Sequence, residues 1–193
     1  MGLPIERDES LHEIFEEHRA ELYWLAFLLT GNRELGVEAF SRAVNFEDSA
    51  NPVFRGFMAA WARKLVIAEA LAQIGPELGE SRLRSEARDA SQPDRLPSRD
   101  RMSADRVTRP EFEHAVLALD VFERCAMLLT VFERLSIPEV ALLLNAGEEL
   151  VKKAQVQGLI ELTRNIAAGR GWDPIRATRE TQVIEFRTAL MWI

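Results

Sequence analysis

The residue pair best spaced for metal chemistry is Glu111 and His114. A glutamate and a histidine three positions apart on a helix have the ligand spacing of di-iron helical bundles. Such a site also needs a second pair of this kind and further glutamates on facing helices, whereas the chain has only three histidines. The single cysteine, Cys125, excludes an internal disulfide and a cysteine-based zinc cluster, and its apolar neighbours predict a buried side chain. We therefore predict no metal site and no cofactor.

Covalent catalysis and phosphate transfer also lack their usual residue patterns. The sequence contains no glycine-rich phosphate loop, no nucleophile elbow and no pattern typical of a catalytic triad. Its glutamates fall on predicted helices of an acidic protein, where such side chains are usually solvated. The sequence therefore predicts that the chain is not an enzyme.

A predicted helix from Glu148 toward Ile166 carries the side chains best suited to nucleic acid. At about 3.6 residues per turn, its apolar and polar residues separate onto two sides. The side predicted to face inward contains Val151, Ala154, Gly158, Leu162 and Ile166. The side predicted to face outward contains Glu149, Lys152, Lys153, Val156, Gln157, Ile160 and Arg164. We predict that the outward side meets another macromolecule.

Three interpretations are open for this outward side. Lys152, Lys153 and Arg164 would contact DNA phosphates, while the amide of Gln157 would read a base edge. In the second interpretation, the outward side is an ordinary solvated helix surface with scattered lysines. In the third interpretation, the valine and isoleucine one turn apart on this side would contact a protein partner or the end of the chain. The charges on this side do not decide among the three interpretations, and DNA contact is slightly favoured over protein contact only by the family resemblance described below.

A short turn between two helices positions these side chains. Ser136 and Glu139 form the S-x-x-E pattern of a capping box, with Pro138 in the first turn, so a helix begins there. Residues 145–147, Asn-Ala-Gly, form a turn before Glu148. Two short helices joined by such a turn have the geometry of a helix-turn-helix, whose second helix enters a DNA groove.

The composition as a whole predicts an all-α protein with two small helical domains. The 193 residues are 47% hydrophobic, and alternating strand-like runs are nearly absent. Apolar helical spacing indicates one domain in residues 1–74 and a second in residues 111–168. Residues 75–110 are rich in proline, glycine, serine, arginine and acids, so we predict a flexible linker. Residues 169–193 form a tail with an apolar end, which would pack on a partner or dock within the chain, and we favour docking within the chain.

The net charge limits the partners that this protein can bind. A formal charge of −7 argues against a simple, sequence-independent DNA binder, because neutralising phosphates needs a basic surface. It leaves local basic surfaces open. The sequence shows no signal peptide and no apolar run of membrane-spanning length, so we predict a cytoplasmic protein without a membrane partner.

Motifs in both halves of the chain resemble those of one bacterial protein family. Residues 34–43, E-L-G-V-E-A-F-S-R-A, are similar to its core-binding helix, D-L-V-Q-E-A-F-L-R-A. Residues 54–71 resemble its F-R-x-W-L-x-x-I-A-R-N-L-x-x-D-x-L segment, and residues 151–152 match the V-K of its T-V-K recognition-helix motif. Ala154 and Gln157 stand where the family often has arginine. The chain thus resembles a divergent member of the group 4 (extracytoplasmic-function) sigma factors of bacterial RNA polymerase.

This resemblance implies a transcription initiation protein that binds RNA polymerase core and directs it to promoter DNA. Glu34, Glu38 and Arg42 would dock on the clamp helices of the polymerase's largest subunit. Arg63 and Lys64 would meet a melted promoter strand, and the helix-turn-helix would meet the upstream promoter element.

Simpler interpretations of the same residues also stay open. The chain would be a divergent sigma-like regulator that acts through protein–protein contacts without reading promoters. An anti-sigma or other regulatory protein is a further candidate partner. The face of Glu34, Glu38 and Arg42 would be a solvated surface with an ion pair at a spacing of four, worth a few tenths of a kcal/mol. Trp61 shares a predicted face with apolar residues, and we predict it in the core rather than as a platform for bases.

Overall fold

The computed structural model describes residues 11–45, 58–88 and 107–171, and all regular elements within these ranges are helices. The predicted all-α class is therefore confirmed. The predicted tail beyond Gly171 lies outside the described residues. In chain order the helices are α1 (Leu11–Glu17), α2 (Arg19–Thr30), α3 (Arg33–Val44), α4 (Met58–Gln73), α5 (Gly75–Ala87), α6 (Arg109–Leu117), α7 (Val121–Met127), α8 (Ile137–Leu143) and α9 (Glu148–Gly169), with a π-helical turn, Leu128–Phe132, directly after α7.

Helices α2, α3 and α4 pack against one another, and α1 packs against α4. α2 ends at Gly31, whose φ of 72° lies in the left-handed region, and the Gly31 N–H donates to the Phe27 carbonyl at 2.8 Å. Asn32 then caps α3, because its side-chain oxygen accepts the N–H groups of Glu34 at 2.7 Å and Leu35 at 3.2 Å. These caps reverse the chain tightly and leave Glu34 in the first turn of α3.

In the second half, α5 and α9 both pack against α7, while α6 packs against α9. The residues of α7 from Phe122 to Met127 are all buried, which confirms the prediction for Cys125. α9 approaches most closely at Gly158, where a Cβ atom would lie 2.9 Å from the Glu123 carbonyl oxygen and 3.1 Å from the Met127 Cβ. The missing side chain at Gly158 therefore permits this approach of α9 to α7.

Helix α8 begins where the capping box predicts. The Glu139 N–H donates to Ser136 Oγ at 3.4 Å, while Glu139 Oε2 accepts the Ser136 N–H at 2.9 Å and the Ser136 hydroxyl at 2.7 Å. In the turn after α8, Asn145 adopts a φ of 48°, and α9 begins at Glu148 as predicted. α8 packs against α9.

The prediction of a flexible linker over residues 75–110 is wrong for its first part, because residues 75–87 form α5. α5 packs on α7 and buries two serines, Ser81 and Ser85. The Ser81 hydroxyl donates to Asp120 Oδ1 at 2.6 Å, just before α7 begins. The polar residues of this segment thus form specific hydrogen bonds across a helix interface. Composition alone does not distinguish such a packed polar helix from a solvated linker.

The second half also begins earlier than predicted. The Thr108 N–H donates to Glu111 Oε2 at 2.7 Å, and the two residues form a second capping box with Pro110 in the first turn of α6. The rest of the predicted linker, residues 89–106, lies outside the described residues.

Contacts join the two predicted domains directly. The Trp24 indole N–H in α2 donates to Glu113 Oε1 in α6 at 2.7 Å. The buried Arg124 of α7 donates through Nη2 to the Leu29 carbonyl at the end of α2, at 3.3 Å. Residues from both halves also belong to one cluster of buried apolar side chains.

The close approach of α9 to α7 predicts opposite effects of two glycine substitutions. Gly158→Ala and Gly79→Ala each gain about 1 kcal/mol of helix propensity. At Gly158 the new methyl group would meet the backbone oxygen of Glu123, whereas nothing lies within 4 Å of a Cβ at Gly79. Overpacking costs about 1–3 kcal/mol, so G158A is expected to lower the free energy of unfolding in urea and G79A to raise it. Equal stabilisation by both would contradict the packing described.

Candidate functional site

The inward and outward sides of α9 lie as predicted. The five residues expected to face inward are all buried, and Lys152 is exposed on the opposite side. Lys153, Gln157 and Arg164 are partly exposed. The structure therefore brings the four predicted DNA-contacting residues of α9 to one accessible side of the helix.

Side chains on this side of α9 bond to neighbours within the chain. Lys152 Nζ lies 2.6 Å from Glu149 Oε1, and this bond raises the pKa of Lys152 above its ordinary value. Gln157 Nε2 donates to Glu161 Oε1 at 2.9 Å. Lys153 Nζ donates to the Arg88 carbonyl oxygen just beyond α5. Contact with DNA would have to replace these bonds.

Acidic side chains balance the basic ones along α9. The helix contains equal numbers of each, namely Glu148, Glu149 and Glu161 against Lys152, Lys153 and Arg164. The first two glutamates lie in the first turn, where they stabilise the helix by interacting with its dipole. They would also repel a phosphate that approaches the start of the helix. Because acidic and basic residues are equal in number, α9 lacks the excess of positive charge typical of DNA-binding helices.

A cluster of charged residues connects α5 to α7 and α9. Arg84 Nη2 lies 2.8 Å from Asp120 Oδ1, while Arg88 Nη1 lies 3.2 Å from Glu123 Oε1 and 3.6 Å from Glu161 Oε1. The sequence analysis missed this cluster. The signal it could have used is the helical spacing of Ser81, Ser85 and Arg88 in α5, which places two small residues and a basic one on one face.

The surroundings of Asp120 and Glu123 shift their pKa values in opposite directions. Burial raises the pKa of Asp120, but hydrogen bonds from Arg84, the Ser81 hydroxyl and the Val121 N–H together outweigh burial and lower this pKa to about 2. Burial dominates at Glu123 and raises its pKa above the ordinary value, despite the nearby Arg88. Asp120 is thus held ionised as the centre of the cluster.

Arg63 and Lys64, predicted to meet a melted promoter strand, differ in their surroundings. Arg63 Nε lies 2.9 Å from Glu133 Oε2, and its Nη1 lies 3.6 Å from Glu21 Oε2. Arg63 therefore links α4 to α2 and to the residue that follows the π-helical turn. Lys64 is exposed beside Trp61, whose predicted core position is wrong because its side chain is 42% exposed.

The predicted polymerase-binding residues share one exposed face of α3. Glu38 Oε1 and Arg42 Nη2 lie 2.5 Å apart, and Glu34 is exposed one turn earlier. The exposed side chain of Val37 lies beside them and borders a groove of about 720 Å³ between α3 and the first two helices. An exposed apolar side chain thus lies next to charged ones here, a combination that occurs at many protein interfaces.

Glu111 and His114, the two residues with metal-ligand spacing, have different surroundings. Glu111 Oε1 lies 3.0 Å from Arg170 Nε, and bonds from Arg170 and then Thr108 lower the pKa of Glu111 to about 2. His114 is exposed on the same helix. Among the described residues, no group of three or more His, Cys, Asp or Glu side chains is arranged to hold a metal ion. In the same part of the chain, no helix combines the length and apolar character needed to span a membrane.

Comparison of the chain with models of protein families, with curated proteins and with solved structures gives no match. The resemblance to sigma factors therefore rests on the sequence motifs alone.

The low pKa of Asp120 predicts how stability depends on pH. A lowered folded-state pKa contributes stability that is complete above the ordinary value of 3.8 and is lost as the pH falls toward about 2. Asp120→Asn is expected to lower the free energy of unfolding at pH 7 by about 1 kcal/mol, since solvent partly screens this group. The difference from wild type should shrink between pH 4 and pH 2 in urea titrations (roughly the interval between the two pKa values).

A matched control for this prediction is Glu17→Gln, which removes a charge from an exposed site on α1. It is expected to change stability by less than about 0.5 kcal/mol at any of these pH values. A D120N effect that stayed constant down to pH 2 would show that the carboxylate does not stabilise the cluster by being ionised.

Proposed function

We propose that this chain is a sigma-factor-like protein that binds RNA polymerase core and directs it to promoter DNA. The observation that carries the proposal is the exposed α3 face with Glu34, Glu38 and Arg42. These residues lie in the segment most similar to the family's core-binding helix, and none of them is needed for the buried core. In this proposal the protein acts in the cytoplasm and performs no chemistry itself.

Charge supports a protein partner at α3. A chain with a formal charge of −7 attracts a basic protein surface more readily than it attracts bare DNA. The apolar side chain of Val37 beside these residues would be buried on docking, while Glu34 and Glu38 would pair with basic residues of the partner.

Promoter reading in this proposal uses the outward side of α9. Lys152 and Lys153 would exchange Glu149 and the Arg88 carbonyl for phosphate oxygens. Exposed ion pairs contribute less than about 1 kcal/mol each, so the exchange is energetically accessible. Polymerase bound to α3 would hold α9 near the DNA, so that α9 need not bind DNA strongly by itself.

A second candidate function is a sigma-like regulator that acts through protein contacts without reading promoters. Two observations favour it. α9 has no excess of positive charge, and Val156 on its outward side is 55% exposed with Leu159 also exposed nearby. Apolar side chains at such positions suit a protein surface, including that of an anti-sigma or other regulatory protein.

Core binding is the first test. Glu34→Lys combined with Glu38→Lys is expected to weaken binding to purified polymerase core at least about tenfold, because it reverses two charges at the proposed interface. The matched control, Glu77→Lys with Glu80→Lys, reverses two exposed charges on α5 and should bind like wild type. If wild type showed no association with core, or if both double variants were equally affected, the α3 interface would be excluded.

Promoter reading is tested by Lys152→Ala combined with Lys153→Ala. If these residues contact phosphates, promoter-specific transcription should fall, and the salt dependence of promoter binding should lose about two units of slope. Core binding by the same variant is the control and should stay unchanged. Unchanged transcription with intact core binding would contradict promoter reading by α9 and support the second candidate function.

A further inference from the structure

We infer that residues 183–193 of this chain dock on a row of three aromatic side chains, Trp24, Phe112 and Phe132, which we call the aromatic row. This inference concerns the fold of the chain itself and does not depend on the proposed function. Three features of the chain support this placement: the geometry of the row, the position of the row near the end of α9, and the apolar pattern of residues 183–193.

The aromatic row crosses three elements. The ring centroids of Trp24 in α2 and Phe112 in α6 lie 6.0 Å apart, and those of Phe112 and Phe132 lie 5.2 Å apart with an edge-to-face tilt. Phe132, at the end of the π-helical turn, is 46% exposed, and Val107 beside the row is 41% exposed. Depressions of about 330 and 400 Å³ flank the row. Ordered aromatic side chains beside open depressions are typical of surfaces that bind an apolar partner.

The chain leaves α9 next to this row. Arg170, just after α9, bonds to Glu111 at 3.0 Å, and Glu111 immediately precedes Phe112 in α6. The last described residues of the chain, Arg170 and Gly171, are thus tied to the helix that carries Phe112. An extended chain of the length of residues 172–182 reaches roughly 35 Å, so residues 183–193 can lie across the row without strain.

The sequence of this segment suits an apolar surface. Val183, Phe186, Leu190 and Ile193 recur at spacings of three and four, the pattern with which a helix presents one apolar side. The other undescribed segment, residues 89–106, ends next to Val107, but it is rich in arginine, aspartate and serine and lacks this apolar spacing. Of the two segments that adjoin the row, the one after α9 has the apolar pattern that suits the three rings.

Disulfide trapping in the full chain tests this placement. Val107→Cys is combined with Leu190→Cys, and Leu142→Cys with Leu190→Cys serves as the control pair. Leu142 is 84% exposed on α8, beside a different apolar groove between α4 and α8. The native Cys125 will not compete, because burial raises its pKa to about 12.

Under mild oxidation, the V107C/L190C variant is expected to form its disulfide within one molecule at least ten times faster than the L142C/L190C control. Equal rates, or a faster control, would overturn the proposal because the segment would then be free or would occupy the α4–α8 groove. Disulfide-linked dimers would also overturn it, since a second copy of the chain would then supply the occupant.

A second measurement does not require the disulfide to form. The rate at which Val107→Cys reacts with a maleimide is measured in two backgrounds of equal charge, Leu190→Asp on the apolar side of the segment and Thr188→Asp on the opposite side. L190D is expected to raise the rate several-fold by releasing the segment, whereas T188D should leave it unchanged. Equal rates in the two backgrounds would show that this segment does not cover the row.

Discussion

The arrangement of this fold depends on the burial of Arg124 in the middle of α7. A guanidinium group cannot be left in a protein interior without hydrogen-bond acceptors. Arg124 reaches one at the carbonyl of Leu29, in the last turn of α2, where free carbonyls and the negative end of the helix dipole favour a cation. Gly31 makes room for it, since a Cβ there would lie 2.8 Å from Arg124 Nη2. One side chain of α7, in the second half, thus caps a helix of the first half.

Glu123, next to Arg124 on α7, needs a nearby cation, and α5 supplies it. Glu123 is also buried, and burial raises its pKa, so its ionised form needs the cation that Arg88 supplies at 3.2 Å. Arg88 can do so only because α5 lies against α7. The same placement brings the end of α5 to Lys153, whose ammonium group donates to the Arg88 carbonyl. Glu123 pairs with the side chain of Arg88, and Lys153 bonds to the carbonyl of the same residue. The buried acid of α7 is therefore linked through Arg88 to the outward side of α9.

Local patterns in the sequence predicted the features that depend on local geometry. The inward side of α9, the capping box at Ser136 and the burial of Cys125 follow from spacing or from immediate neighbours, and the structure confirms all three. The sequence did not predict α5, because its polar residues bond to partners such as Asp120 that are far away in the chain. For the same reason it placed Lys153 on the outward side of α9 without indicating the Arg88 carbonyl, 65 residues away, that binds it. Composition counts arginines but does not show their partners. A solvated arginine and one that pairs with a distant carboxylate therefore contribute equally to a linker-like composition.

The α3 face and the outward side of α9 could bind a partner with little loss of stability, whereas Arg63 could not. The α3 face and Lys152 contribute no contact to the Arg124–Leu29 connection, so macromolecules could bind them while both halves stay packed. Arg63 instead holds Glu133, a nearly buried acid, together with Glu21. Turning Arg63 toward a nucleic acid would leave Glu133 without its cation in a poorly solvated site, which costs more than losing an exposed ion pair. In this arrangement Arg63 therefore stabilises the contact between the halves, and Lys64, exposed on the same helix, is the better placed of the two for a promoter strand.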